Sequence, residues 1–435
     1  MSDDVLGRVR GFDPAKLAEV GPALQQFIDR SELAAIVTLT SHRGDIVHSE
    51  ALGWSDIETR TATRPDTLFR IASMTKPITS VAALMLVEQG RIALSDPISH
   101  WIPELAEPRV LRNAAGSLED TVPAQREITL EDLLTHRSGI AYAFFSEGPL
   151  KQAYEEALGD PAMNRLTPDE WLAALGTLPL AYQPGELFHY GHSTDVLGFL
   201  IGRLLGMPLG RVLREMIFAP LGMDSTDFWL PRDKRSRLAS LYRYDEASGR
   251  LAKVVPDMYD EPPAYTPGGG GLISSAPDYH RFARMLLGEG EHGGVRLLKP
   301  ETVRLMRTNR LTDAQRQVPF AGMPLWQKSG FGLGLSIAED PVDNPYACGA
   351  PGSITWPGIF GTWWQADPVH DLVMIYLIQH QVPVSANSGA TIATGRGAAG
   401  RRALPVYQHA IYGALRDGLV KPDDDRKAEG RRSLV

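Results

Sequence analysis

Ser73 and Lys76 stand three residues apart in Phe69-Arg70-Ile71-Ala72-Ser73-Met74-Thr75-Lys76, at the head of a run that is apolar almost all round. Residues i and i+3 of a helix share a face, with Cβ atoms about 5–6 Å apart. The spacing therefore predicts that the serine hydroxyl and the lysine amine meet. A serine hydroxyl is a poor nucleophile until a base takes its proton, and a lysine serves as that base only where burial or a neighbouring cation makes it give up its own. An apolar helix supplies the burial, and its N-terminus supplies N–H groups and partial positive charge for a developing oxyanion. Alone, Ser-x-x-Lys also describes a serine N-cap followed by a solvated lysine, so other residues must decide.

Two further stretches bear on it. In Tyr182-Gln183-Pro184-Gly185-Glu186-Leu187-Phe188-His189-Tyr190-Gly191-His192-Ser193 the Pro-Gly pair turns the chain, and Tyr190 emerges near the start of the next helix. A tyrosine beside a lysine relays a proton from the serine to a leaving group; the competing reading is a core tyrosine with a hydrogen-bonded hydroxyl. In Thr355-Trp356-Pro357-Gly358-Ile359-Phe360-Gly361, expected on a late strand, Gly358 lets backbone approach a ligand closely. The N–H groups of Ile359 and Ser73 are the candidate oxyanion donors, since Pro357 has none. The competing reading is an edge strand with an aromatic patch.

Other patterns point away from other chemistries. Gly191-His192-Ser193-Thr194-Asp195 lacks the last glycine of G-x-S-x-G, so Ser193 is not the nucleophile. His189 and His192 are i, i+3 but there is no H-E-x-x-H, and no metal site or cofactor is expected. Gly268 to Gly271 is followed by no Gly-Lys-Ser/Thr and reads as a tight turn into a strand rather than a phosphate loop. His136 is expected in a structural turn near a lobe junction. Tyr142, Phe144, Phe145, Trp229, Tyr265, Trp356, Trp363 and Trp364 are candidates for an acyl pocket or for the core.

The elements that must position these residues fall into a simple order. Phe12 to Arg30 has helical spacing at Leu17, Val20, Leu24 and Phe27. Ala34–Thr40 and Ile46–Trp54 flank a polar, glycine-containing turn and read as a hairpin. A helix is expected from Ser73 to about Gly90. Thr129–Thr135, Pro168–Leu175 and Thr194–Leu205 read as helices. Strand character returns at Ile354–Ala366 and Leu372–Ile378, around a turn at Asp367-Pro368-Val369-His370, and Tyr407–Leu415 reads as a closing helix. Strands at both ends and helices between them predict an α/β (α+β) protein. Its antiparallel sheet is built from residues 1–75 and 260–420 and flanked by helices, and a mainly helical domain is inserted at 76–259. A groove between the lobes is the natural ligand site. A charged tail, 421–435, is expected to fray.

Composition narrows the partners. The 435 residues carry 44 Lys and Arg against 52 Asp and Glu, a net charge of −8, which argues against nucleic acid or an anionic membrane surface as partner. The single cysteine, Cys348, excludes an internal disulfide framework and multi-cysteine metal sites. The longest apolar runs are far short of the ~18 residues of a membrane span. A charged N-terminus without an apolar stretch makes the cytoplasm the default expectation.

Five motifs recur in one order: Ser73-x-x-Lys76, Leu133-Leu134-Thr135-His136-Arg137-Ser138-Gly139, Pro184-Gly185-Glu186 leading to Tyr190, Gly269-Gly270-Gly271-Leu272 and Trp356-Pro357-Gly358. Together they resemble the serine β-lactamase and penicillin-binding-protein-like superfamily, from about Val37 to Ile378. Within it the chain looks like class C β-lactamases and, more closely, family VIII carboxylesterases. The resemblance implies a β-lactamase/DD-peptidase-like fold, Ser73 as the acylated nucleophile, Lys76 and Tyr190 sharing base and acid roles, and Trp356 to Gly358 standing where β-lactamases have Lys-Thr-Gly. Two departures matter. The Tyr-x-Asn of β-lactamases is Tyr190-Gly191-His192, which puts His192 where a substrate-amide partner would be. Lys-Thr-Gly has lost the cation and hydroxyl that hold a carboxylate. An aromatic there favours an uncharged, hydrophobic small-molecule ester, so a serine carboxylesterase for short-chain esters ranks above a β-lactamase, a D-amino-acid amidase or peptidase, or an acyltransferase. Lys328-Ser329-Gly330 spells the lost triplet, but the Phe331-Gly332-Leu333-Gly334 that follows resembles the strand preceding the third motif.

Overall fold

The computed structural model describes residues 11–159, 166–254, 262–341, 344, 348–381 and 396–416; the expected tail and the 259/260 domain boundary lie outside them. An eight-stranded antiparallel sheet organises the molecule. Its strands are β1 (Ala35–His42), β2 (Asp45–Asp56), β3 (Thr61–Ala62), β4 (Ser329–Phe331), β5 (Ser336–Ala338), β6 (Ile354–Thr355), β7 (Trp363–Asp367) and β8 (Leu372–Leu377), in the spatial order β4-β5-β6-β7-β8-β1-β2-β3. The β1–β8 pairing, with Val37 opposite Leu377 and His42 opposite Leu372, joins the two ends of the chain at the centre of the sheet.

The central strands are buried on both faces, and β8 accordingly reads as an unbroken apolar run. Alternate residues serve different cores. Ile36, Trp363, Met374 and Tyr376 pack with Val20, Leu24 and Phe27 of α1 (Val20–Asp29) and with Tyr407 and Ile411 of the closing helix Ala399–Ala414. Val37, Leu39, Trp364, Val373 and Ile375 share the main core with Tyr279 and Phe282 of the helix Ala276–Leu287 and with the buried helix α2 (Thr75–Glu88). Each such apolar side chain contributes about 1.5–3 kcal/mol on burial.

Two details differ from the sequence expectation. The closing helix begins at Ala399, eight residues before the predicted start, and carries Pro405 within it. Ile354–Ala366 is not one strand but two. Pro357 cannot donate to a ladder, the Gly358 N–H bonds Thr362 O at 2.7 Å, and Gly361 turns at φ +85°, so Trp356 to Thr362 form the loop between β6 and β7. Between residues 76 and 254 the short antiparallel pairs Arg109–Leu111/Thr121–Pro123 and Tyr242–Asp245/Arg250–Lys253 interrupt the helices. Among the described residues no single helix is long and apolar enough to cross a membrane.

Candidate active site

Two clamps fix the place of Ser73. Phe69–Arg70 pairs antiparallel with Ile273–Ser274, and the Ile71 N–H extends that contact to Leu272 O at 3.0 Å. Gln379, just beyond β8, brackets Arg70: its side-chain oxygen accepts from the Arg70 N–H at 2.8 Å and its amide nitrogen donates to the Arg70 carbonyl at 3.3 Å. Ala72 then turns the chain at φ +46°, a conformation that costs a non-glycine residue about 1–3 kcal/mol. Ser73 follows, half-buried, in the single 3-10 turn Ala72–Met74, so the α-helix itself begins two residues later than the sequence suggests.

Lys76 reaches back from the first turn of α2 and is 1% exposed. Its Nζ lies 3.2 Å from Ser73 Oγ, 3.3 Å from Tyr142 Oη and 2.5 Å from Gly269 O. The amine thus meets the serine hydroxyl on one side and the phenol oxygen and the carbonyl on the other. The ring of Tyr190 also faces this amine, its centroid 4.6 Å from Nζ, while the Tyr190 hydroxyl accepts from the Trp356 indole N–H at 3.0 Å. The structure thus brings Ser73, Lys76, Tyr190 and Trp356 together. The phenol oxygen that Lys76 contacts, however, belongs to Tyr142, which sequence reasoning treated only as an acyl-pocket or core aromatic.

The elements behind these side chains explain their order. The helix α3 (Leu130–Leu134) opens with a capping box between Thr129 and Asp132 and stops at Thr135, after which His136 takes φ +52°. His136 is fully buried, its ring 4.6 Å from that of Tyr190, and burial, with Lys76 and His189 nearby, pushes its pKa well down. It is a neutral wall behind Tyr190, as expected of a structural turn residue. Ser138 Oγ lies 2.8 Å from Ser193 Oγ, tying this segment to the helix α4 (Ser193–Leu205). The Gly268–Gly271 segment runs against α4: a Cβ at Gly268 would lie 2.5 Å from Thr194 O, and one at Gly269 would lie 2.9 Å from both Asp195 Oδ1 and Tyr142 Oη. Glycine is what lets the Gly269 carbonyl approach Lys76.

On the other side, the Trp356–Thr362 loop leans on the segment that leads into Ser73. A Cβ at Gly358 would sit 2.4 Å from Ile71 O, and Thr362 Oγ1 donates to that carbonyl at 3.1 Å. Ile359 follows Gly358 with its side chain 41% exposed.

His192 takes a different place from the expected one. It is 7% exposed, packs edge-on to Tyr142 at 4.2 Å and to Trp171 at 5.3 Å, and its Nδ1 lies 2.7 Å from Asp195 Oδ2. Asp195 also accepts from the Gly269 N–H at 2.8 Å and lies 3.5 Å from Tyr142 Oη. Burial opposes its charge, yet His192, Lys76 and the Gly269 N–H together hold the carboxyl below its ordinary range. Burial and Asp195 push the Tyr142 phenol well up, so Tyr142 stays protonated. Sequence reasoning missed Asp195; its i, i+3 spacing from His192 at a helix start was the available signal. The Lys328 triplet begins the edge strand β4, two strands from β6, and Lys328 Nζ lies 4.0 Å from Asp340.

Residues 22–396 match the family model described as Beta-lactamase. An uncharacterized protein of Mycobacterium tuberculosis is 44% identical over 396 residues, covering 90% of this chain and 98% of that protein. Esterase EstB of Burkholderia gladioli is 30% identical over 385 residues, 84% of this chain and 91% of EstB. Among solved structures, unliganded simvastatin synthase of Aspergillus terreus shares the fold with a TM-score of 0.74 at 25% identity, over 93% of this chain and all of that one.

Proposed function

The chain belongs to the Beta-lactamase family, as a serine hydrolase of that family, and from that premise we propose that it is a carboxylesterase cleaving short-chain, hydrophobic, uncharged esters through an acyl-enzyme on Ser73. The observation that carries the reading is the buried amine of Lys76, 3.2 Å from a half-buried serine hydroxyl with acceptors on its other side. In this mechanism Ser73 Oγ attacks the ester carbonyl as Lys76 takes its proton. The N–H groups of Ser73 and Ile359 receive the oxyanion. The proton that Lys76 took then goes to the departing alcohol, whose oxygen the Tyr190 hydroxyl, itself accepting from Trp356, meets as a hydrogen-bond donor. Water then attacks the acyl-enzyme by the same route. A positioned proton-transfer group contributes about 10²–10⁴-fold and an oxyanion donor about 10²–10³-fold.

The preference for an ester over a β-lactam rests on the lining. Phe188, Tyr190, Trp326, Phe331 and Trp356 form one buried aromatic cluster, with Phe144, Phe145 and Phe320 half-buried at its edge. At the third motif an indole stands where β-lactamases place a cation and a hydroxyl. Two measurements test the proposal. A fluorophosphonate should add its mass to the tryptic peptide bearing Ser73. kcat/KM for p-nitrophenyl butyrate should exceed that for a chromogenic cephalosporin and for a D-alanine amide. Labelling elsewhere would refute the nucleophile. The reverse order of substrates would refute the esterase assignment, and transfer of the acyl group to an added alcohol in preference to water would mark the enzyme as an acyltransferase.

A further inference from the structure

Lys76 needs two acceptors on one side if its lone pair is to point at Ser73, and both acceptors are held by one carboxylate. Asp195 Oδ1 takes the Gly269 N–H at 2.8 Å, and the carbonyl of the same glycine takes Lys76 at 2.5 Å. Asp195 Oδ2 lies 3.5 Å from Tyr142 Oη, and that oxygen in turn lies 3.3 Å from Lys76 Nζ. An anionic carboxylate has only acceptors, so the Tyr142 proton turns toward Asp195 and the phenol oxygen presents a lone pair to the amine. His192 Nδ1, 2.7 Å from Oδ2, fixes the carboxylate from behind. Asp195, His192, Tyr142 and Lys76 are each less than a tenth exposed, so water does not substitute for any of these partners.

We propose that Asp195 is a positioning residue for the Ser73 reaction: through Tyr142 and Gly269 it sets the direction of the hydrogen bonds around Lys76, so that the amine faces Ser73 as an acceptor. The inference rests on the acyl-enzyme reading above and extends it to a carboxylate that reaches Lys76 only through Tyr142 and Gly269. The groups facing Lys76 are Ser73 from its own turn, the hydroxyl of Tyr142, the ring of Tyr190 with neutral His136 behind it, the Gly269 carbonyl, and Asp195 paired with His192. Asp195 is the carboxylate in that set.

Asp195→Asn tests this with a near-isosteric change. The Gly269 N–H requires an oxygen at one position, which places the new amide NH₂ toward Tyr142 and His192 and reverses the polarity there. The expected result is a loss in kcat of roughly 10²-fold with KM little changed. Tyr142→Phe should also lower kcat, and the double variant should be no slower than the slower single one, because both break one chain of contacts. Thermal unfolding of each variant reports whether it folds; if Asp195→Asn fails to fold, Tyr142→Phe and His192→Gln carry the test. A wild-type kcat in a folded Asp195→Asn or Tyr142→Phe enzyme overturns the inference, as do fully additive losses. If Ser73→Ala keeps its turnover, the acyl-enzyme reading itself fails; if Ser73 is essential while these variants are silent, only the inference fails.

Discussion

Two buried polar clusters lie on opposite sides of the β6–β8 region, and they are built to opposite ends. Around Asp367, at the end of β7, every contact closes inward. Its carboxylate accepts from the backbone N–H groups of Ala350, Val369 and His370 and from Tyr412 Oη at 2.7 Å, with His370 Nδ1 at 2.8 Å, and the residue is fully buried. Gln365 extends the net to Cys348 and Tyr412, and burial pushes the Cys348 thiol up, away from reactivity. Around Lys76 the same density of polar contacts leaves one direction open, toward a half-buried serine beneath half-buried aromatics. One network ends on a half-buried serine hydroxyl, and the other closes on itself and holds two segments together.

The largest effect should come from Ser73→Ala. Ester turnover is expected to fall at least about 10⁴-fold, as when a nucleophile that acts as part of a unit is removed, while stability to urea changes by less than about 1 kcal/mol because the hydroxyl is only half-buried. The opposite profile belongs to Asp367→Ala. Removing one partner of a buried hydrogen-bonded charge costs about 3–5 kcal/mol, so the urea midpoint should drop while kcat/KM of the folded fraction stays close to wild type. If the two variants behave alike, the division into a catalytic and a structural cluster is wrong.

Acid sharpens the comparison, because two of the histidines that burial holds neutral belong to neither cluster. Burial lowers His48 to about 4, and burial with the nearby Arg284, His292 and Arg281 lowers His280 to about 3; each is held neutral beside a hydroxyl, Thr38 and Ser41 respectively. The unfolded chain protonates its histidines near 6.5. Stability is therefore fully present above pH 6.5, falls as the pH drops below it, and stops falling once the folded values are passed. At about pH 4.5 each histidine costs on the order of 2–3 kcal/mol. Thermal midpoints recorded from about pH 7.5 to 4.5 should decline with this slope, and His280→Gln should flatten it. A slope unaffected by that substitution would assign acid sensitivity elsewhere.

What was legible in the sequence follows the same division. The β1–β2 hairpin, the β8 run and Ser-x-x-Lys are local: periodicity 2 or 3.6 and i, i+3 spacing carry them. The partners of Lys76 are not local. Tyr142 and Gly269 lie 66 and 193 residues away in the chain, and only the packing of α4 against the glycine turn brings them to the amine. Asp195 sat in view, but its stretch was tested only as a serine elbow. His192 was placed by analogy with an asparagine at the substrate, whereas its ring, larger than that side chain, turns inward onto Asp195. The Trp356 loop was read as strand because its apolar letters outweighed Pro357 and the two glycines that break it.

The smallest effect should arise at the aromatic wall that distinguishes the open cluster from the closed one. Phe320 sits at the mouth of a two-residue turn, Ala321 at φ +50° and Gly322 at φ +75°, sealed by reciprocal backbone bonds with Met323. Its half-buried ring touches Tyr190 at 5.5 Å, Phe145 at 5.7 Å and Trp356 at 5.8 Å. It therefore packs on the ring of Tyr190 and borders the other side chains proposed to surround the substrate. Truncation to alanine should leave Ser73 labelling intact and shift the choice among acyl chains. With about 0.8 kcal/mol per methylene newly accommodated, the ratio of kcat/KM for a p-nitrophenyl hexanoate to that for the butyrate should rise roughly fivefold or more. A constant ratio would place the acyl chain on another wall, and the Ile359 side of the β6–β7 loop, exposed beside Trp356, would become the surface to truncate next.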